Sequence, residues 1–125
     1  MTHEIELTYK FQLTDENIRD LIITAFEGGI NYWCSAASVE DYGDCDPIAS
    51  TYDVIPNNGI LLLEEAEDGN RVALTLPGLL NGIKMFCNLR GTTPAKYFDP
   101  DTGDYDADDA DGMIQFAVFG EWVYG

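Results

Sequence analysis

The clearest hydrophobic pattern in this chain is a helical stripe near the N-terminus. Its apolar positions follow the spacing i, i+3, i+4, i+7 and i+8: Ile18, Leu21, Ile22, Ala25 and Phe26. That spacing is typical of one face of an α-helix. Thr14 is expected to be the N-cap, because its hydroxyl can accept a free backbone N–H of the first turn. Gly28 and Gly29 predict the end, because glycine readily adopts the left-handed conformation that closes a helix. We therefore expect a helix over residues 15–27.

Alternating or apolar runs elsewhere predict strands. They cover residues 4–13, 30–38, 48–55, 60–65 and 71–76. Within the second run, period two places Trp33 on the opposite face from Tyr32, partly exposed. The three leucines of residues 60–65 predict a central strand covered on both faces, and the turn residues 68–70 predict a hairpin to the last strand.

Two further helices are predicted in the second half of the chain. One covers about residues 77–88, where Gly82 should weaken the helix by about 1 kcal/mol relative to alanine. The other covers residues 107–124 and is apolar nearly all round, which predicts burial. The sum is a single α+β domain over residues 1–125, with an antiparallel sheet of four to five strands and two or three helices packed on it.

Charge narrows the possible partners more than hydropathy does. The chain has 6 basic and 23 acidic residues, a formal net charge of −17. It therefore lacks a basic patch for nucleic acid or an anionic membrane, and any electrostatic partner is expected to be cationic. No run approaches the roughly 20 apolar residues of a membrane-spanning helix. The N-terminal MTHEIELTYK lacks the basic and apolar regions of a signal peptide, so we expect a cytoplasmic protein with Cys34, Cys45 and Cys87 reduced.

No recognisable set of catalytic residues is present. The single histidine, His3, stands in the N-terminal tail, where order is often low. The sequence contains no G-x-S-x-G nucleophile motif, no phosphate-binding loop and no dinucleotide glycine pattern. We therefore expect a binding protein rather than an enzyme, with no cofactor.

Acidic residues cluster in two segments that form the candidate partner-binding site. The first cluster contains Asp99, Asp101, Asp104, Asp106, Asp108, Asp109 and Asp111. The second contains Glu64, Glu65, Glu67 and Asp68. Carboxylates on a compact body can approach the spacing of phosphates along a DNA strand, so a protein groove built for nucleic acid would attract them. The simpler alternative is that the acidity only maintains solubility, with Asp108, Asp109 and Asp111 favouring the start of the last helix.

Two other interpretations remain open from the sequence. Asp99, Asp101 and Asp104 could form an oxygen cluster for a cation, although the segment fails the EF-hand pattern: with Gly112 at loop position 6, Ala107 and Val118 fall where Asp and Glu are required. No metal ligands are assigned for this reason. A second possibility is a small interaction protein that binds through an apolar or aromatic patch around Trp33.

Two stretches resemble a group of small proteins encoded by phages and other mobile elements in bacteria. They are AFEGGINYWC, residues 25–34, and ADDADGMIQFAVFGEWVYG, residues 107–125. The resemblance implies a viral or mobile-element protein in the cytoplasm of a bacterial host, and it implies no residue roles. By analogy of class, small acidic phage proteins include anti-CRISPR and anti-restriction inhibitors that imitate DNA. The expected partner is therefore a host nucleic-acid-binding complex, such as a CRISPR effector or a restriction system, and no direct binding of nucleic acid is expected.

Overall fold

The computed structural model describes residues 1–6, 9–47 and 50–125. The helices are α1 (Asp15–Thr24), α2 (Leu76–Arg90), α3 (Ala95–Phe98) and α4 (Ala107–Phe119). The strands are β1 (Cys34–Asp41), β2 (Ile60–Glu65) and β3 (Arg71–Leu74). Shorter turns are the π-helical Ala25–Gly29, which continues α1, and the 3₁₀ turn Thr51–Asp53. Among these residues no helix has the length and apolarity needed to cross a bilayer.

The three strands form one antiparallel sheet in the order β1-β2-β3. The α+β class and the central position of residues 60–65 are therefore confirmed. The inner face of the sheet carries Leu61, Leu63 and Leu74, which are fully buried, because alternate side chains of a strand point to the same face. The prediction of four to five strands is wrong, since the described part of the chain has three.

The predicted strand over residues 4–13 is absent from the part of the segment that is described, and Leu7 and Thr8 lie outside the described residues. Ile5 is 85% exposed, whereas Phe11 and Leu13 pack half-buried against the core. The alternation of apolar and polar residues therefore corresponds to packing against the core only close to α1, at Phe11 and Leu13. A strand also needs a neighbour for its backbone groups, and periodicity does not supply one.

The predicted strand over residues 48–55 is also wrong for residues 50–55, which the structure describes; Ile48 and Ala49 lie outside the described residues. Thr51–Asp53 form a 3₁₀ turn that is capped by the Ser50 hydroxyl, which accepts the backbone N–H of Tyr52 at 3.2 Å. Val54 is fully buried directly after this turn. A serine cap of this kind offers the backbone an alternative to pairing in a sheet.

The first helix begins as predicted and ends differently. Thr14 Oγ1 accepts the backbone N–H of Asn17 at 3.1 Å, and Asn17 Oδ1 accepts that of Thr14 at 3.0 Å. Neither Gly28 nor Gly29 has a positive φ, so their expected left-handed role is wrong. Gly29 is required by packing, because a Cβ there would lie 2.7 Å from the carbonyl oxygen of Ala107.

The core is closed by α2 packing against α4. Gly82 sits at their closest approach, where a Cβ would lie 2.5 Å from the backbone nitrogen of Ala117 and 2.8 Å from the carbonyl oxygen of Met113. The predicted helix over residues 107–124 stops at Phe119, because Gly120 adopts φ 74°. Residues 121–125 then run back along α4 without helical structure.

Candidate functional site

The acidic loop before α4 is ordered by one of its own aspartates. Asp99 Oδ1 accepts the backbone N–H groups of Asp101 at 2.9 Å and Thr102 at 3.1 Å. These two hydrogen bonds hold the pKa of Asp99 below its ordinary value. The loop also needs Gly103, since a Cβ there would lie 2.4 Å from the backbone nitrogen of Asp99. Asp101 and Asp104 are left exposed to solvent.

Two more of the predicted site residues cap α4. Asp106 Oδ1 accepts the backbone N–H of Asp109 at 2.9 Å, and Asp109 Oδ2 accepts that of Asp106 at 3.2 Å. Burial raises the pKa of Asp109, and the hydrogen bond from the Asp106 backbone opposes this shift. Both carboxylates therefore complete the helix end. Asp108, between them in sequence, is exposed.

Asp111 is buried, which removes it from any anionic surface. Only 4% of the residue is exposed. Its Oδ1 accepts the indole N–H of Trp33 at 2.7 Å, and its Oδ2 accepts the hydroxyl of Tyr32 at 2.5 Å. Burial and the hydrogen bond to Asp111 raise the pKa of Tyr32 to about 12. The expectation that Asp111 contacts a partner as an exposed charge is therefore wrong, because two aromatic side chains cover it.

Gln115 lies one helical turn after Asp111 and is fully buried. Its Nε2 lies 2.9 Å from Asp111 Oδ1, 3.2 Å from the Tyr32 hydroxyl and 3.1 Å from the carbonyl oxygen of Tyr124. Its Oε1 accepts the backbone N–H groups of Val123 at 2.9 Å and Tyr124 at 2.8 Å. One side chain therefore fixes the C-terminal segment against α4.

The network continues from Tyr124 to the second acidic segment. The Tyr124 hydroxyl donates to Glu65 Oε1 at 2.6 Å. This hydrogen bond, helped by burial and by the charges of Glu65, Asp68 and Glu67, raises the pKa of Tyr124 to about 12. Glu65 is only 9% exposed. As with Asp111, its predicted role as an exposed partner-binding charge is wrong.

Trp33 lies inside this network and not on the surface. It is 2% exposed, its ring stacks on that of Tyr124 with centroids 5.6 Å apart, and Phe119 packs 5.3 Å away. Tyr32, by contrast, is 56% exposed. The predicted exposed aromatic patch centred on Trp33 is therefore wrong, because the chain is still in a turn at Trp33 and β1 starts one residue later.

The remaining predicted site residues are accessible to different degrees. The exposed ones are Asp101, Asp104, Asp106, Asp108, Glu67 and Asp68. Asp99, Asp109 and Glu64 are partly exposed. Glu64 Oε1 lies 3.7 Å from Arg71 Nε, so a cation is already close to it. The charges that remain available to a partner are carried mainly by the loop before α4, the first turn of α4 and the β2–β3 hairpin.

Two of these acidic segments lie near the tyrosines of the buried network. Asp108 contributes to the raised pKa of Tyr32 through its charge, and Glu67 and Asp68 do the same for Tyr124. Gln115 Nε2 lies 3.2 Å from the Tyr32 hydroxyl and 3.1 Å from the backbone carbonyl oxygen of Tyr124. Asp111 in α4 is therefore linked to Glu65 of β2 by a network that passes through Gln115 and through both the backbone and the hydroxyl of Tyr124. We use the name anionic surface for the exposed carboxylates of these three segments, which are Asp101, Asp104, Asp108, Glu67 and Asp68.

The arrangement does not favour a metal site in the acidic loop. Across the described ranges, no three His, Cys, Asp or Glu side chains are grouped so that they could hold an ion. Asp99, which would be central to such a site, directs Oδ1 at backbone N–H groups of its own loop. Cys34 is half-buried and Cys87 is buried, and this burial raises the pKa of both free thiols, which does not favour a reactive thiolate.

Sequence reasoning missed the buried polar network of Asp111 and Gln115. A signal for it was present: the two polar residues stand four apart in a helix that is otherwise apolar at its core positions. Polar groups at that spacing share a face, and a buried face requires partners for them. Aromatic hydroxyl and indole N–H groups are the donors that fit.

No family model, curated protein or solved structure matches this chain.

Proposed function

We propose that this protein is an acidic inhibitor that binds the cationic nucleic-acid-binding surface of a host protein complex in place of DNA. The observation that carries the proposal is the exposure of the five carboxylates of the anionic surface, of which Asp108 shares α4 with Asp111 and Gln115, while Glu67 and Asp68 follow Glu65, which is hydrogen-bonded to Tyr124. Among the described residues, none of its five carboxylates has a lysine or arginine within 4.0 Å. Their charge is therefore available to a cationic partner.

The order of the backbone that carries these charges matters for binding as much as the number of charges does. A binding surface gains affinity when its groups are already held in place, because less conformational freedom is lost on association. Asp108 stands on a helix whose start is closed by a capping box, and Glu67 and Asp68 belong to a hairpin tied to Tyr124 through Glu65. Asp101 and Asp104 lie on a loop held by Asp99. The anionic surface therefore rests on fixed backbone.

The resemblance of residues 25–34 and 107–125 to phage and mobile-element proteins supports a setting in the cytoplasm of a bacterial host. There, complexes that guide or cut nucleic acid present long cationic grooves. DNA carries one negative charge per about 1.7 Å of helix axis, and a groove shaped to that density also attracts clustered carboxylates. A CRISPR effector or restriction-type complex is therefore the proposed partner.

Charge reversal within the anionic surface tests this function. The double variant Asp104→Lys/Asp108→Lys changes two exposed carboxylates that have no capping role. The matched control is Glu4→Lys/Glu6→Lys, which makes the same change in net charge at two exposed positions of the N-terminal segment. The wild type and both variants are used to capture proteins from a bacterial lysate at low and high salt, and the captured complex is then assayed for DNA binding.

We expect the wild type to capture a nucleic-acid-binding complex at low salt, to release it at high salt and to compete with DNA for it. The first double variant should lose capture and competition, while the control retains both. Equal loss in the two variants would mean that only total charge matters. Capture that survives high salt would mean that the interface is apolar, and either result would contradict the proposal.

A further inference from the structure

A second surface of the molecule lies at the open edge of β1. This strand pairs with β2 on one side only, with Ala36 opposite Glu64 and Ala37 opposite Leu63. No other strand borders it in the described part of the chain. A strand edge of this kind presents backbone N–H and C=O groups that can pair with another chain.

Both faces of β1 are uncovered as well. The four successive residues Ser35, Ala36, Ala37 and Ser38 are all exposed, and successive residues of a strand point to opposite faces. All four side chains are small and uncharged. Natural edge strands are usually protected by charged residues, proline, β-bulges or a covering element. The register of β1 is irregular at its two ends, between Cys34 and Ala36 and between Val39 and Asp41, but residues 36–39 pair regularly, and residues 35–38 include no charge or proline.

A small cavity lies directly beside this edge. It has a volume of about 130 Å³ and is lined by residues 34–37 of β1 together with Phe26, Ile30 and Asn31 from the end of the first helical segment. A recess with polar and apolar lining next to an open strand edge is compatible with the way domains bind extended peptides: the edge pairs with the peptide backbone, and the recess receives one of its side chains.

The charges around the edge decide what can bind there. Glu40 and Asp41 end the strand, Glu64 lies opposite Ala36, and Glu27 follows Phe26 of the cavity wall. A second copy of this chain would bring another net charge of −17 to the same place, and such self-repulsion opposes association. A basic partner is favoured by the same charges.

We propose that the β1 edge is a binding site for an extended, lysine- or arginine-containing segment of another protein, which adds to the sheet as a fourth strand. The segment pairs its backbone with residues 35–38, inserts one side chain beside Phe26 and places basic side chains near Glu27 and Glu40. This site uses none of the residues of the anionic surface, so it goes beyond the proposed function and stands or fails separately from it.

A defined peptide can test the site. The probe is a fluorescein-labelled peptide of alternating lysine and threonine, long enough to span β1. Its counterpart is methylated at every backbone nitrogen, so it carries the same charges but donates no main-chain hydrogen bond. Binding to the full chain is followed by fluorescence anisotropy at an ionic strength of about 0.15 M, where the Debye length is about 8 Å.

Two lysine substitutions provide a matched pair of variants. Ala36→Lys puts a cation on the β1 edge, whereas Ala73→Lys makes the same exchange at an exposed alanine on the same face of β3. Ser38→Lys is a second edge variant, for use if Ala36→Lys does not fold. Unfolding curves of all variants are compared with the wild type before binding is measured.

We expect the unmethylated peptide to bind, and both backbone methylation and the edge variant to weaken binding by about tenfold or more, since several main-chain hydrogen bonds are lost or blocked. Ala73→Lys should change binding by less than about twofold, as expected for a single exposed charge. Equal binding of the methylated peptide, equal effects of the two alanine variants, or no binding would overturn the proposal. So would a dimer in sedimentation that Ala36→Lys dissociates, since the edge would then belong to a second copy.

Discussion

The indole N–H of Trp33 donates to Oδ1 of Asp111 across 2.7 Å, and both residues are almost wholly buried. No lysine or arginine lies within 4.0 Å of this carboxylate among the described residues. Its buried oxygens are stabilised instead by neutral donors from Trp33, Tyr32 and Gln115. Because a buried polar group is expensive without partners, this contact fixes how the turn before β1 meets α4.

Replacing Asp111 by alanine should therefore destabilise the protein strongly. The change leaves the buried indole N–H of Trp33 without an acceptor, so we expect a loss of about 2–3 kcal/mol in the free energy of unfolding. Asp111→Asn keeps one acceptor, so its free energy of unfolding should lie between those of the wild type and Asp111→Ala. Urea unfolding measures the effect, with Asp108→Ala as the exposed control, expected to change stability by less than about 1 kcal/mol. Similar losses for the two alanine variants would mean that the buried network contributes little.

Alkaline pH should destabilise the same network, because its tyrosines ionise there. The pKa values of Tyr32 and Tyr124 are each raised from the ordinary 10.0 to about 12 in the folded chain. Since the folded state holds these protons more tightly, their stabilising contribution is complete below pH 10 and is lost as the pH rises towards 12. Ultraviolet titration of tyrosinate should show late-ionising residues that include Tyr32 and Tyr124, beside Tyr97 and Tyr105, whose pKa values burial also raises. Tyr32→Phe and Tyr124→Phe should each remove one, and normal ionisation of both would refute the assignment.

Gly82→Ala should be destabilising, opposite to what helix propensity predicts. Alanine is the better helix former by about 1 kcal/mol, but its Cβ would lie 2.5 Å from the backbone nitrogen of Ala117. Forcing α2 and α4 apart should lower the free energy of unfolding by about 1–3 kcal/mol. Asn81→Ala, exposed on the same helix, is the control and should be neutral or slightly stabilising. A stabilised Gly82→Ala protein would show that the two helices separate easily.

Asp106→Ala should reduce stability through its helix cap, even though its carboxylate is exposed. Asp106 accepts the backbone N–H of Asp109, and loss of such a cap costs about 1 kcal/mol. Asp104→Ala, two residues earlier and exposed, should cost less than about 0.5 kcal/mol. Thermal unfolding of the pair makes the comparison. Equal stability of the two variants would mean that the Asp106 cap contributes little to the stability of α4.

Local sequence signals predicted the elements whose stability is local. The leucines of β2, the turn before β3 and the Thr14 cap of α1 each depend on residues close in sequence, and each is found in the structure. The strand predicted over residues 4–13 failed for the opposite reason. Its alternation is real, but pairing depends on a distant neighbour that periodicity cannot identify.

The interior of the candidate site could not be predicted for a similar reason. Asp111 belongs to an acidic run in sequence, and only the fold determines that Trp33 and Tyr32 reach it. The same holds for Glu65, which stands in an acidic hairpin and is covered by Tyr124. The net charge of the chain follows from its composition. Which carboxylates are buried in the fold and which are exposed to a partner depends on contacts between distant segments.

The hydrogen bonds from Gln115 to residues 123 and 124 also constrain the order in which the structure closes. Gln115 holds the backbone of Val123 and Tyr124, and Tyr124 in turn covers Trp33. The pocket around this indole therefore closes only when residues 123 and 124 have docked on α4. Trp33 should accordingly be among the last side chains to be buried as the chain folds.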